Sequence, residues 1–95
     1  MNKNKYIVKY TNKFSKDLKL MKKRGYDIKL LEKIVKMLAN GEKLPIKNKD
    51  HALKGDYIGH RECHITPDWL LVYRIIDKEL ILLLTNTGTH SDLFG

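Results

Sequence analysis

Nine consecutive residues, Arg61-Glu62-Cys63-His64-Ile65-Thr66-Pro67-Asp68-Trp69, hold a guanidinium, two carboxylates, an imidazole and the only tryptophan of the chain around a Pro-Asp turn. Two further groups could fold onto them: His51, ahead of a glycine-containing loop, and the terminal stretch Thr89-His90-Ser91-Asp92-Leu93-Phe94-Gly95. Imidazoles, a carboxylate, an arginine and aromatic rings in a basic chain are the parts needed to cut RNA without a metal. Attack by the RNA's own 2′-hydroxyl requires a base, an acid for the leaving oxygen, and positive charge for the phosphorane-like transition state. Histidine suits both proton roles because its unperturbed pKa, about 6.5, lies near working pH.

Each residue also has a plainer use. His64 alone reads as a surface histidine bonded to a neighbour. Asp68 can simply close the Pro67 turn through its backbone. Core packing ranks ahead of base stacking for Trp69, and Cys63 reads as a small core residue. Arg61 suits an ion pair with Glu62 or Asp92 as well as a phosphate. His51, in a polar loop, stands evenly between the two uses. His90 differs, because so near the end no core is left to build, and an active role is favoured. His60 and His64 are four apart, a chelating pair on a helix. On a strand that spacing spans about 13 Å, too far for one ion. With no second ligand pair in view, neither metal nor other cofactor is expected.

These residues need elements to position them. Tyr6 to Tyr10 is rich in β-formers and reads as a strand. Thr11 or Asn12 can cap a helix in which Phe14, Leu18 and Met21 form one apolar stripe. Lys22-Lys23-Arg24 and Gly25 close it. Asp27 caps a second helix with a wide apolar stripe through Leu30, Leu31, Ile34, Val35, Met37 and Leu38, ending at Asn40-Gly41. Glu42 to Lys54 has no period and reads as a loop carrying His51. Tyr57 to Ile65 reads as a strand, with Ile58, His60, Glu62 and His64 on an open face and Cys63 and Ile65 toward the core. Trp69 to Ile76 is apolar on nearly every residue, as a central strand covered on much of both faces would be. Asp77-Lys78 reads as a two-residue hairpin loop, Glu79 to Thr85 as the last strand, and His90 to Gly95 as a short tail. The order is β-α-α-β-β-β. It implies an α+β fold, with a helical hairpin packed on one face of a twisted, mainly antiparallel sheet.

Ninety-five residues suit a single domain, 1–95, with a small core. No apolar run approaches the roughly 18 residues of a membrane span, and the charged start Met1-Asn2-Lys3-Asn4-Lys5 does not read as a secretory signal. One cysteine excludes an internal disulfide. A cytoplasmic protein is expected. The net charge of +8 is uneven: residues 1–49 hold 15 of the 19 Lys/Arg and 4 of the 11 Asp/Glu, a balance of +11 against −3 for the remainder. That imbalance favours a polyanion or an acidic protein as partner. The cations and the histidines come from different segments.

The segments Asp50 to Gly55, Arg61 to Tyr73 and Thr87 to Phe94, in this element order over essentially the whole chain, resemble the YafQ toxins. These are a branch of the RelE/ParE superfamily of bacterial type II toxin–antitoxin systems. The resemblance implies a RelE/ParE-like fold and a ribosome-associated endoribonuclease that cuts mRNA and stops translation. It implies an acidic antitoxin of the DinJ or RelB type, ribosome and mRNA as partners, and operator DNA bound only through the antitoxin complex. It assigns functional positions to His51, His64, Asp68, Trp69, His90 and Phe94. It also points to a departure. An arginine usual in the family just before the Thr-Gly-Thr-His segment is Asn86 here. Asparagine donates a hydrogen bond but carries no charge, which leaves Arg61 or a lysine to supply it, or makes the enzyme slow. A gyrase inhibitor of ParE type, or a catalytically weak RNA- or antitoxin-binding module, stands as the alternative.

Overall fold

A computed structural model describes residues 4–95; Met1 to Lys3, the first residues of the expected domain and of its charged start, lie outside the described residues. The elements are β1 (Ile7–Tyr10), α1 (Asn12–Lys23), α2 (Ile28–Ala39), β2 (His51–Ala52), β3 (Arg61–Thr66), β4 (Trp69–Ile76), β5 (Ile81–Gly88) and α3 (His90–Phe94). Short 3₁₀ turns occupy Ile46–Asn48, Gly55–Tyr57 and Asp77–Glu79. The sheet order is β1-β5-β4-β3-β2. Only the β1–β5 pair is parallel. The fold is α+β with α1 and α2 on one face of a mostly antiparallel sheet, as the order of elements implied.

Capping sets the helices. The Thr11 hydroxyl accepts from the Phe14 N–H at 3.0 Å, and Asp27 accepts from the Lys29 N–H at 3.1 Å. Phe14 and Met21 of α1 and Leu31, Ile34 and Leu38 of α2 are buried in one cluster with Cys63, Trp69, Leu71, Tyr73, Leu82 and Leu84 of the sheet. Each such side chain contributes roughly 1.5–3 kcal/mol when withdrawn from water.

Several expected boundaries shift. His51 is not on a loop: with Ala52 it forms an edge strand pairing His51 with Glu62. Residues 57–60 are turn rather than strand, since Gly59 sits at φ +90° and Ile58 is exposed. The last hairpin turns through four residues, Asp77 to Leu80, instead of two. β5 runs on through Asn86 to Gly88, and the expected tail is a helix.

Two register shifts matter for the site. Between β4 and β5, Tyr73 pairs with Leu84 but Val72 pairs with Asn86, so Thr85 is an extra residue. Such a bulge changes which face the following side chains take. Leu82 and Leu84 face the helices. Beyond Thr85 the phase inverts, so Thr87 faces the helices and Asn86 faces away. The bulge is held by polar bonds: Thr85 Oγ1 donates to the Val72 carbonyl (3.0 Å) and Thr87 Oγ1 to the Leu70 carbonyl (2.7 Å). The Thr87 N–H donates to Asp17 of α1 at 3.1 Å, and Asp17 also pairs with Lys13. The second shift, after His64, leads into the Pro67-Asp68 turn.

Candidate active site

Antiparallel partners share a face, and the register therefore writes out the surface opposite α1 and α2. One row across the sheet is His51, Glu62, Val72, Asn86; the next is His64, Leu70, Gly88. At about 4.8 Å per strand, the first row spans roughly 14 Å and the second roughly 10 Å. Leu70 and Val72 are buried yet stand apart from the helix-side core, as the apolar floor between the polar groups.

His51 and His64 are both held through Nδ1. That nitrogen of His51 lies 2.6 Å from the Lys49 carbonyl, and that of His64 lies 3.3 Å from the Pro67 carbonyl. An N–H there donates to the carbonyl and leaves Nε2 as the working nitrogen of each ring. His51 Nε2 faces Glu62 Oε1 at 3.6 Å, an ion pair when the ring is protonated. The buried Asn48 donates its side-chain N–H to the His64 carbonyl at 2.7 Å. The short stretch from Asn48 into the start of β2 thus fixes both histidines.

His90 opens α3 immediately beyond β5. The helix is short, but Thr89 and Asp92 form a reciprocal cap: the Thr89 N–H donates to Asp92 Oδ2 (2.9 Å), and the Asp92 N–H to Thr89 Oγ1 (3.2 Å). Arg24, at the end of α1, donates both terminal nitrogens to the same carboxylate at 2.7 and 3.2 Å. Arg24 first, and then the Thr89 N–H, hold the Asp92 carboxyl well below the usual carboxylate range. Gly88 is a close approach: a Cβ there would stand 2.9 Å from Asp92 Cβ. Phe94, 38% exposed, lies edge-on to Tyr57 (5.5 Å) and tilted against the His90 ring (5.3 Å). Tyr57 meets the His60 ring edge-on at 5.9 Å.

Three expected roles change. Trp69 is fully buried; its Nε1–H donates to Thr87 Oγ1 (2.9 Å) and its ring meets Tyr26 edge-on at 5.2 Å. It has no face to offer a base and is a core residue. Arg61 shares the helix side of the sheet with Cys63, and its Nε lies 3.4 Å from Asp50, which also accepts from the Tyr73 hydroxyl at 2.6 Å. Its partner is neither Glu62 nor Asp92, and it does not face the histidines. Asp68 accepts from Thr66 Oγ1 (2.9 Å) and the Tyr26 hydroxyl (3.0 Å) and bonds to no histidine. Those two donors, Thr66 foremost, lower its pKa. That makes it a weaker base and leaves it a brace for the turn that carries His64. Burial pushes the Cys63 thiol up to about 12, which removes it as a nucleophile.

Asn48, Tyr57 and the Arg24–Asp92 pairing carry the site's geometry without having stood out in the sequence, and Glu62, noted there on the open face, gains a role beside His51. Only the Thr89-x-x-Asp92 spacing offered a signal, as a capping box. Among the described residues no group of three or more His, Cys, Asp or Glu could hold a metal ion, and no helix is long and apolar enough to cross a membrane.

Residues 6–95 match the family described as bacterial toxin of type II toxin–antitoxin system, YafQ. The mRNA interferase toxin YafQ of Escherichia coli K12 is 42% identical over 89 residues, which are 93% of this chain and 95% of that relative. The crystal structure of the E. coli DinJ–YafQ complex superposes with a TM-score of 0.87 at 40% identity, covering 95% of this chain and 99% of the matched one. A metal-bound toxin from Helicobacter pylori gives 0.88 at 48% identity, with 94% and 99% covered.

Proposed function

Since the chain belongs to the YafQ family of type II toxins, we propose that it is the toxin of such a pair: an mRNA interferase that cuts ribosome-bound mRNA and stops translation. An acidic antitoxin of the DinJ type neutralises it, and the two together, not the toxin alone, bind operator DNA. The observation that carries this reading is the shared face. His51 and His64 present Nε2 on the surface that α3 borders with His90 and Phe94.

His64 and His90 form the acid–base pair. One takes the 2′-hydroxyl proton and the other delivers a proton to the departing 5′-oxygen. His51, steadied by Glu62, is a third participant or a phosphate contact. Asn86 donates a hydrogen bond to the phosphate. The half-exposed Phe94, with Tyr57 behind it, walls in a base. Asp68 positions His64 through the Pro67 turn. The lysines of α1 and α2 lie on the other side of the sheet and suit rRNA backbone or antitoxin rather than the segment being cut. No step requires a metal.

The test is primer extension on an mRNA in a purified translation system, with wild type and His90→Ala, each with and without EDTA added after ribosomes have assembled and been diluted into fixed Mg²⁺. New 5′ ends with wild type, unaffected by chelation of trace transition metals and absent with His90→Ala, are expected. The rate should show a bell-shaped pH profile. A rate that climbs steadily with pH, indifferent to His64 and His90 substitution, overturns the scheme. Asn86 favours one second reading, a weakly catalytic binding module, for which ribosome binding without new ends is the signature.

A further inference from the structure

We propose that Arg74 supplies the positive charge on the histidine face that Asn86 cannot, as the cationic contact to the RNA phosphate; this rests on the ribonuclease reading above. A transition state that gathers negative charge on phosphate needs a cation within the site. On the face itself the register places a neutral Asn86 and an acidic Glu62, with nothing permanently positive between them.

The chain has three arginines, Arg24, Arg61 and Arg74. Two are committed to carboxylates: Arg24 to Asp92 and Arg61, on the helix side, to Asp50. Arg74 is exposed, and among the described residues it has no carboxylate partner and no side-chain hydrogen bond. Its position follows from the strand. Leu70, Val72 and Arg74 alternate onto one face of β4, while Tyr73 and Ile75 pack against the core. Val72 pairs with Asn86. Arg74 is therefore the diagonal neighbour of Asn86, and such neighbours lie roughly 7–8 Å apart, within reach of a long side chain.

The surface beneath the guanidinium is bare. Arg74 Nη2 and Nε lie 3.7 and 4.0 Å from where a Cβ on Gly59 would stand. Gly59 has φ +90°, a conformation that glycine adopts without penalty. The guanidinium thus rests over open backbone at Gly59, with its donors uncommitted. The planar fork of arginine matches phosphate oxygens. Nothing has to be broken for it to turn toward RNA lying across Val72 and Asn86.

The experiment measures cleavage of ribosome-bound mRNA over a range of toxin concentrations for wild type, Arg74→Ala, Arg74→Lys and the double variant Arg74→Ala/Asn86→Arg, with the melting temperature of each. Loss of one preorganised donor predicts a fall in maximal rate on the order of 10²-fold for Arg74→Ala. The half-saturating concentration and melting temperature should stay near wild type. Arg74→Lys should fall between, and a charge at position 86 should restore much of the rate. An Arg74→Ala rate within about threefold of wild type, or a loss confined to half-saturation, overturns the assignment while leaving the ribonuclease reading intact. So does a loss that tracks a lowered melting temperature and is not restored by Asn86→Arg. Absence of cleavage by the wild type itself overturns both.

Discussion

The two faces of the central strand β4 have opposite uses. Trp69, Leu71 and Tyr73 look toward α1 and α2, where most large neighbours are apolar, the indole donor finds Thr87 and the Tyr73 hydroxyl finds Asp50. Leu70, Val72 and Arg74 look toward the histidines. That side has an apolar floor but a rim of imidazoles, an amide, a carboxylate and a free guanidinium. One side is arranged to exclude water; the other is left open to a partner. Both are made from a single run of eight residues, Trp69–Ile76, and residue parity alone separates them. Damage on one side should therefore appear as lost stability, and damage on the other as lost chemistry.

The sharpest break in that contrast comes from His90→Ala and His64→Ala. Each should lower the maximal cleavage rate about 10²–10⁴-fold, the usual worth of a proton-transfer group, with thermal unfolding unchanged within a few degrees. If either variant unfolds instead, the open face is structural and the contrast fails. The mirror image is Trp69→Ala, which removes a fully buried indole and should cost roughly 3–5 kcal/mol in denaturant unfolding. Any loss of cleavage should follow the fraction unfolded. A stable but inactive Trp69→Ala protein would restore the stacking role rejected above.

Two smaller effects probe the seam between the faces. Asn48→Ala leaves the His64 carbonyl without its donor and should cost about 1–3 kcal/mol, with a cleavage loss exceeding that expected from unfolding alone. Arg24→Ala removes a solvent-screened ion pair and should leave the unfolding midpoint nearly unchanged, yet should reduce cleavage, because Arg24 holds the helix that carries His90. Asp92→Asn tests the same clasp by pH. The folded pKa of Asp92 lies below its unfolded value, so its contribution is present at neutral pH and is lost as pH falls through the folded value. The stability difference between wild type and Asp92→Asn should persist from pH 7 down to about 4, the ordinary carboxylate range, and shrink below it.

The sequence was most informative where one period governs a whole element. The stripes Phe14-Leu18-Met21 and Leu31-Ile34-Leu38 declared their buried faces, and Cys63 and Ile65 took the core side of β3. It was least informative where a single residue changes the count. Nothing in Leu84-Thr85-Asn86-Thr87 announces that Thr85 stands outside the ladder, although the change from leucines to polar residues marks the place. Arg61 drew attention because it lies three residues from His64 in sequence. Strand residues an odd number apart point to opposite faces, and that spacing took it away from the site. Arg74, ten residues beyond His64, drew no attention in an otherwise apolar strand. His51 could not be placed because a two-residue strand has no period to read. Asp92 and Arg24 are 68 residues apart, a pairing that only the folded chain reveals.

The extra residue at Thr85 acts on β5 as a change of step acts on a marcher. Before it, the strand beats out leucines for the interior; after it, the same left-right rhythm delivers Asn86 to the outside and Thr87 to the buried side. Were Thr85 to join the ladder opposite Val72 instead of bulging, no catalytic group would be lost, yet Asn86 would turn inward, Thr87 outward, and His90 would be carried to the opposite side. This surface is therefore kept in phase by one residue held out of the ladder, and a protein can gain or lose a reactive face according to whether a single extra amino acid is bulged out or paired.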